Sequence, residues 1–259
     1  MATILFNEIV FGPIHSRRLG TSLGINLLPT NGKSCSFDCL YCECGLNAQY
    51  KGRLLPKAKE VREALESKLK EMKTKGISPD VITFAGNGEP TLHPEFSSII
   101  DEAIVLRDQY FPNAKVSVLS NATQLEKPKV FEALLKVDNA ILKLDSALDE
   151  TVRILDRPVS SSYSIRQQVK NMKRFGGKLI IQTLFTRGEY EGKTFDNTTD
   201  KEVSEWIALL KDIMPESVMI YAIDRETAVS GLAKVTLKEL QAIAKKAKEA
   251  TGIPISVAG

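Results

Sequence analysis

Residues 31–45 read NGKSCSFDCLYCECG and contain all four cysteines of the 259-residue chain. Three of them, Cys35, Cys39 and Cys42, have the spacing Cys-x3-Cys-x2-Cys. A disulfide framework distributes cysteines so that they close long loops, whereas these cysteines would close only very short ones. Thiols clustered on one short loop are instead typical of a metal or cluster site. Residues 31–45 are therefore predicted to form a loop that binds a metal ion or a metal cluster.

The number of available thiols limits the kind of metal site. An electron-transfer [4Fe-4S] cluster uses four cysteines, and the fourth usually comes from elsewhere in the chain. This chain has no cysteine outside residues 35–44. Three thiolates would hold three corners of a cubane and leave one iron open to a small molecule, which favours catalysis over simple electron transfer.

A zinc site that uses all four cysteines is the alternative from a different functional class. Structural zinc sites usually pair two Cys-x2-4-Cys knuckles across a longer spacer. Here a single residue separates Cys42 from Cys44, and that spacing would strain a tetrahedral site. A non-catalytic zinc-binding module is thus the weaker hypothesis, and Cys44 is predicted to lie outside the ligand set.

The chain around the cysteine loop alternates short β-branched runs with longer amphipathic stretches. The predicted strands are residues 24–28, 81–85, 115–119, 140–144, 179–185 and 218–223, and the predicted helices are residues 57–75, 95–110, 128–136, 162–175, 200–214 and 237–251. This alternation predicts an α/β fold with a parallel sheet and outer helices. Six units are too few for a closed eight-stranded barrel, so the pattern alone leaves a partial barrel and a doubly wound sheet open. In both, ligands bind at the carboxyl ends of the strands.

The strand predicted at residues 81–85 runs into a glycine turn. Residues 81–94 read VITFAGNGEPTLHP. Gly86 and Gly88 can adopt positive φ and would let a ligand approach the backbone closely. Alone, this motif could be any turn between a strand and a helix, with Pro94 opening the helix.

Together and in this order, the cysteine loop and the glycine turn resemble the radical S-adenosylmethionine (SAM) superfamily. The loop has an aromatic residue, Tyr41, just before its third motif cysteine. Residues 86–90 (GNGEP) resemble the family's Gly-Gly-Glu-Pro motif with Asn87 interposed. The resemblance implies a partial (βα)6 TIM-type barrel that forms one domain over residues 1–259.

The same resemblance implies the cofactors and the residues that bind them. A [4Fe-4S] cluster would bind SAM at its open iron and cleave it reductively, and the resulting radical would abstract hydrogen from a substrate. The resemblance implies that iron is bound by Cys35, Cys39 and Cys42. It implies that the methionine amino group of SAM is bound by Gly86, Gly88 and Glu89, that its carboxylate or ribose is bound by Asn121, and that Tyr41 lines the adenine site.

Two further polar residues are catalytic candidates. By two-residue alternation, Lys143 and Asp145 share one face of the fourth predicted strand with Ile141. Either they line a polar lumen that faces a ligand, or they form an ion pair that closes the barrel. Both interpretations stay open from the sequence.

The resemblance defines the substrate less well than the cofactor. Residues 12–20 (GPIHSRRLG) resemble a stretch in the tRNA wyosine-base-forming branch, but that branch needs a second trio of cysteines upstream, which this chain lacks. The resemblance favours modification of RNA or a small molecule, and the alternative is an activase that installs a glycyl radical on a protein partner. The expected partners are SAM and a flavodoxin- or ferredoxin-type electron donor. Arg17 and Arg18 receive no assigned role.

Composition and charge add expectations about location and partners. The net charge of +3 arises from 35 basic and 32 acidic residues spread along the chain, which gives no electrostatic case for a dedicated nucleic-acid surface. The first residues show no export signal, and no apolar run approaches the ~18 residues that span a bilayer. We therefore expect no membrane association and a cytoplasmic location.

Overall fold

The computed structural model describes residues 4–16, 19–47 and 54–258. The strands are β1 (Val10–Ser16), β2 (Gly20–Ile25), β3 (Val81–Phe84), β4 (Lys115–Ser120), β5 (Asn139–Lys143), β6 (Ile180–Leu184), β7 (Thr186–Tyr190), β8 (Lys193–Asp196), β9 (Ser217–Tyr221), β10 (Leu232–Lys234) and β11 (Ile255–Ala258). The α-helices are α1 (Ala58–Thr74), α2 (Phe96–Tyr110), α3 (Pro128–Lys136), α4 (Asp149–Leu155), α5 (Ile165–Lys173), α6 (Asp200–Ile213) and α7 (Leu237–Thr251).

Among the described residues, the main sheet contains eight strands in the order β1-β2-β3-β4-β5-β6-β9-β11. From β2 onward, neighbouring strands run parallel, and β1 pairs antiparallel with β2 at one edge. The sheet curls into a half-barrel with the helices around it. This architecture confirms the predicted partial TIM-type barrel and excludes the doubly wound sheet.

Burial explains why these strands form the centre of the protein. Every residue of β3 and β6 is buried, as expected for parallel strands covered on both faces. Outside β6, Trp206 is 1% exposed, meets Phe185 edge-on (ring centroids 5.4 Å apart), and donates from Nε1 to Thr183 Oγ1 (3.1 Å). The indole therefore fills the space between α6 and the sheet without leaving its N–H unpaired.

Side-chain caps define where the last two helices begin. Thr199 accepts a hydrogen bond from the Glu202 backbone N–H at the start of α6 (3.3 Å). Thr236 and Glu239 form a capping box at the start of α7. Both helices begin where the sequence predicts, because these caps are local signals. Within the described ranges, no helix is both long and apolar enough to cross a membrane.

All six predicted strands and all six predicted helices are present, and the first strand has the largest shift, from residues 24–28 to Gly20–Ile25. Sequence analysis missed β1, β11, α4 and a separate three-stranded sheet in the order β10-β7-β8. The hairpin of β7 and β8 turns at Glu191 and Gly192, both with positive φ. Its strands are short and polar, so they carry no hydrophobic periodicity to detect.

Candidate active site

A cavity of about 220 Å³ lies where the cysteine loop meets the carboxyl ends of β3, β4 and β5. Its lining consists of Lys33, Cys35, Phe37, Cys39, Tyr41, Cys42, Ala85, Gly86, Gly88, Glu89, Leu119, Ser120, Asn121, Lys143 and Gln182. The three predicted iron ligands and the five predicted SAM-binding residues therefore face one space, which we call the cofactor cavity. Ligands of parallel α/β folds bind at this edge of the sheet.

Backbone hydrogen bonds hold the cysteine loop against the segment that follows β5. Asp38 N donates to Asp156 O (2.9 Å), and Leu40 N donates to Leu155 O (2.9 Å). Phe37 lies in the same contact and is 1% exposed. Tertiary contacts therefore position a loop that has no regular secondary structure of its own.

The glycine turn docks directly on the cysteine loop. Ser34 N donates to Asn87 O (2.8 Å), and Glu89 N donates to Ser34 O (3.1 Å). Gly86 and Gly88 have φ values of 133° and 135°. A Cβ on Gly88 would lie 1.9 Å from Ser34 O. Glycine is thus required at position 88, because the Ser34 backbone leaves no room for a side chain there. This reason is separate from the ligand access that the sequence suggests.

The Glu89 carboxylate is buried and accepts four hydrogen bonds. The donors are the backbone N–H and hydroxyl of Thr91, the Ser120 hydroxyl (2.8 Å) and the Asn121 backbone N–H (2.6 Å). Burial raises the pKa of Glu89 above its usual value, although these donors act in the opposite direction. Glu89 therefore ties the turn after β3 to the end of β4.

The thiols of the loop have different electrostatic environments. Burial and, next in size, the Glu89 carboxylate raise the pKa of Cys35 to about 12. A hydrogen bond from Cys44 is the main factor that lowers the pKa of Cys42 to about 6. The Cys44 thiol also approaches Gly86 O (3.3 Å), so it connects the cysteine loop to the glycine turn.

A buried ammonium group faces these thiols. Lys33 is 2% exposed, donates to Gly45 O (3.0 Å), and forms an ion pair with Asp38 (3.3 Å). Burial opposes its charge, but the three motif cysteines and Asp38 raise the pKa of Lys33 above its usual value. A fixed positive charge therefore lies beside the place where thiolates would bind metal.

Lys143 and Asp145 form an ion pair, and Lys143 also lines the cofactor cavity. The Lys143 ammonium lies 3.3 Å from Asp145 and donates to the Tyr41 hydroxyl, which donates to Asp145. The same hydroxyl lies 3.3 Å from Asp156. The ion pair that the sequence leaves open is thus present, and of its two members Lys143, not Asp145, lines the cofactor cavity. Burial opposes the charge of Lys143, but Asp145 raises the pKa of Lys143 well above its usual value, so the amine is protonated.

Other polar residues from the sequence have simpler surroundings. The Asn121 side chain donates to Ser36 Oγ (2.9 Å) and lies 3.5 Å from Cys35 Sγ. His93 is buried and bonds to Pro56 O (2.8 Å), outside the cofactor cavity lining. Arg17 and Arg18 lie outside the described residues.

The donor set fits a cluster better than a single ion. In the described part of the chain, no three Cys, His, Asp or Glu side chains converge closely enough to hold one metal ion. A zinc ion would need each sulfur at about 2.3 Å from a common point. A cubane instead takes each thiolate at a different iron, and the three motif cysteines surround a shared space.

Sequence reasoning missed two residues of this site. Lys33 precedes the first motif cysteine by two positions, and a cation beside three future thiolates is a signal that the sequence contains. Asp156 gives no such signal, because it lies 115 positions from its hydrogen-bond partner Tyr41. Only the fold brings that carboxyl group to the cysteine loop.

Comparison with known proteins assigns this architecture to a family. The Radical SAM superfamily matches residues 32–194, which is more than half of the chain. The chain therefore belongs to the Radical SAM superfamily. Members of this superfamily in general use a [4Fe-4S] cluster and SAM.

Two sequence relatives show how far the similarity extends. The chain is 31% identical over 223 residues to a protein named GTPase Obg from Brachyspira hyodysenteriae, covering 85% of this chain and 30% of that protein. It is 30% identical over 227 residues to a UPF0026 protein from Helicobacter pylori, covering 85% of this chain and 68% of that protein.

Solved structures share the fold at low sequence identity. Streptococcus suis SuiB bound to S-adenosylmethionine superposes with a TM-score of 0.63 at 18% identity, over 88% of this chain and 49% of SuiB. TYW1 with a lysine-pyruvate adduct superposes with a TM-score of 0.64 at 14% identity, over 90% of this chain and 75% of TYW1. This chain thus spans about half the length of SuiB and less than a third of the Brachyspira protein.

Proposed function

We propose that Cys35, Cys39 and Cys42 hold a [4Fe-4S] cluster and that its open iron binds SAM in the cofactor cavity. When bound and reduced, the cluster and SAM supply a 5′-deoxyadenosyl radical that abstracts hydrogen from a substrate. One observation carries the proposal: three thiols and the glycine turn line a single cavity at the carboxyl ends of the strands. The whole chain, residues 1–259, is proposed to form one domain for this chemistry.

The cavity offers distinct contacts for the parts of SAM. Gly86, Gly88 and Glu89 are proposed to hold the methionine amino group, and Asn121 to bind the carboxylate or ribose. Four hydrogen bonds already fix the Glu89 carboxylate, so it would not need to change conformation when SAM binds. Glu89 would therefore hold the residues that donate to it in place around the ligand. Tyr41 is proposed to line the adenine site, since its ring borders the cofactor cavity and an adjoining cavity of about 270 Å³.

Lys143 and Asp145 are the proposed catalytic residues, with Lys143 acting as a cation and hydrogen-bond donor. An amine must lose its proton before it attacks a carbonyl carbon. The Asp145 carboxylate and the Tyr41 hydroxyl both contact the Lys143 ammonium and favour its charged form. A covalent lysine adduct, as in the TYW1 structure, would first require this ion pair to be broken.

A small molecule or an RNA is the proposed substrate, and the electron donor is proposed to be a flavodoxin or ferredoxin. The modest size of the cavities beside the cysteine loop, about 200 and 270 Å³, supports a small substrate group. A glycyl-radical activase is the second candidate and would form a stoichiometric complex with a large protein. We propose a cytoplasmic location, where such donors occur.

Electron paramagnetic resonance (EPR) after anaerobic reconstitution with iron and sulfide tests the proposal. We expect a signal of a reduced four-iron cluster whose shape changes when SAM is added, and 5′-deoxyadenosine as a product. A protein that stays colourless and retains zinc would instead support the non-catalytic module. RNA that co-purifies and dissociates steeply with rising salt would identify the substrate class.

A further inference from the structure

The first described residues, 4–9, form a segment that we call the N-terminal strap. Its backbone is bonded to three separate parts of the chain. Ile4 N donates to Glu43 O (2.9 Å) in the cysteine loop, and Asn26 N, just after β2, donates to Ile9 O (2.8 Å). Between these two contacts, the strap meets the glycine turn. The strap therefore touches the same elements that build the cofactor cavity.

Asn87 makes the contact between the glycine turn and the strap. Its Oδ1 accepts from Phe6 N (2.9 Å), and its Nδ2 donates to Phe6 O (2.8 Å), so the side-chain amide pairs with Phe6 as a neighbouring strand would. Nδ2 also donates to Pro29 O (2.9 Å). Asn87 is fully buried, and every hydrogen bond of its side chain goes to backbone. A glycine at this position would make none of these three bonds.

The strap also forms one wall of a second cavity, which we call the lumen cavity. The Phe6 ring stacks on the Phe11 ring with centroids 3.7 Å apart and an angle of 18°. Both rings line a space of about 200 Å³ inside the half-barrel. This cavity shares three lining residues with the cofactor cavity, namely Ala85, Leu119 and Gln182. The two spaces therefore adjoin.

The lumen cavity is apolar around the stacked rings. Ile14, Ile141 and Met219 add to its lining. Two of its hydroxyl groups, on Ser22 and Thr83, hydrogen-bond to each other (2.9 Å), so they need no polar partner from a ligand. Its two charged lining residues, Glu43 and Arg225, form an ion pair with each other (2.8 Å), and Gln182 is its other polar side chain. Because these charges and hydroxyl groups pair among themselves, the remaining apolar lining favours an apolar, ring-sized group over a charged one.

We propose that Asn87 is a positioning residue that fastens the strap, and that the Phe6–Phe11 wall it holds makes the lumen cavity a subsite for an apolar, ring-sized group of the substrate. The interposed asparagine that distinguishes GNGEP from Gly-Gly-Glu-Pro thereby gains a specific role. The identification of the occupant as a substrate rests on the proposed function. The docking of the strap and the binding of an apolar ring are independent of the proposed function.

Hydrogen exchange on the cluster-free full chain tests the fastening. Asn87→Gly should make the Phe6 amide exchange faster by about tenfold or more, because a buried hydrogen bond to Asn87 is lost with its two companions. Asn197→Gly is the matched control, since Asn197 is also buried and its side chain also makes three hydrogen bonds to backbone, with Thr186 N, Asp145 O and Leu184 O, none of which belongs to the strap or the lumen cavity lining. Unchanged exchange at Phe6 in Asn87→Gly would overturn the fastening.

Fluorobenzene serves as the probe of the apolar subsite, observed by its ¹⁹F relaxation on the same cluster-free proteins. We expect binding to the unmodified chain, about tenfold weaker binding to Asn87→Gly, and unaltered binding to Asn197→Gly. The melting temperature of each variant is measured as well, so that weaker fluorobenzene binding can be distinguished from a general loss of stability. Absence of fluorobenzene binding to the unmodified chain, or equal binding to Asn87→Gly, would overturn the subsite. Neither measurement uses the cluster or SAM, so failure of the SAM-dependent EPR change would count against the proposed function alone.

Discussion

Two concave regions of the molecule differ in the solvent exposure of their charged groups. One is an outer groove between α5 and α6, and the other is the cofactor cavity. The groove has a volume of about 810 Å³, and the cofactor cavity about 220 Å³. The groove is lined by Arg166, Lys170, Lys173 and Asp212 among others, and its Lys173–Asp212 ion pair is about half exposed on both sides. In the cofactor cavity, Glu89 is 2% exposed. The larger of these two concave regions is therefore not the one that contains the candidate active site.

The difference in solvent exposure has an energetic consequence. An exposed ion pair is screened by water and contributes about 0–1 kcal/mol, so the groove can gain or lose charges at little cost. A buried charge costs several kcal/mol unless other groups compensate it. The cofactor cavity keeps Lys33, Glu89 and Lys143 charged or hydrogen-bonded through several partners each. Such an arrangement is typical of functional sites.

The largest effect is expected for the three cysteines proposed to bind iron. Cys39→Ala should abolish cluster assembly and SAM cleavage, because a cubane held by two thiolates loses a corner and the remaining thiol, Cys44, is held by Cys42 and Gly86 O. Iron content and 5′-deoxyadenosine formation measure this. Cys44→Ala is the control and should retain the cluster, with metal affinity lowered by no more than about 10–100-fold, since Cys44 acts through hydrogen bonds to Cys42 and to Gly86 O. SAM cleavage by Cys39→Ala would contradict the proposal that the cofactor cavity is the active site.

The next effect is expected for Glu89. Glu89→Gln places an amide N–H₂ against groups that already donate, such as the Asn121 backbone N–H. We expect the free energy of unfolding to fall by about 2–3 kcal/mol and the Kd of SAM to rise by about tenfold or more. Urea unfolding and an EPR titration with SAM check these values. Glu102→Gln, whose exposed carboxylate pairs with Arg62, should change stability by less than about 1 kcal/mol.

A double-mutant cycle separates the structural part of the Lys143–Asp145 pair from its role in the reaction. Lys143→Met alone leaves the Asp145 charge buried and should lower the free energy of unfolding by about 3 kcal/mol. Adding Asp145→Asn should restore more than half of that loss, because the introduced amide carries no charge and its oxygen can still accept from Leu184 N. We expect the restored double variant to remain inactive. Full activity in that variant would assign the pair a purely structural role.

The smallest effect is expected in the outer groove. Lys170→Glu reverses an exposed charge there and should change stability by no more than about 0.5 kcal/mol. SAM cleavage should stay at the unmodified level, measured in the same assay as the cysteine variants. A loss comparable with that of Glu89→Gln would show that the groove belongs to the active site, and the distinction between the two regions would fail.

Sequence reasoning performed best where the signal is local. α7 begins at the predicted residue, where Thr236 and Glu239, three positions apart, cap the helix through local hydrogen bonds. The β7–β8 hairpin was missed, because it has no core-facing pattern of its own and is stabilised by pairing with β10, about forty residues later. Prediction thus failed where a strand depends on a distant partner.

The candidate site shows the same division. The spacing of Cys35, Cys39 and Cys42 and the order of the two motifs are properties of the chain itself, and they sufficed to indicate the superfamily and the parallel half-barrel. The partners of Glu89 and Asn87 were decided only by the tertiary structure. Ser120 and Phe6 reach them from positions 31 and 81 residues away. Short-range spacing therefore specifies the motif cysteines that we propose as iron ligands. Long-range packing decides which buried polar groups meet, because a buried donor or acceptor needs a hydrogen-bond partner and only the fold brings distant partners together.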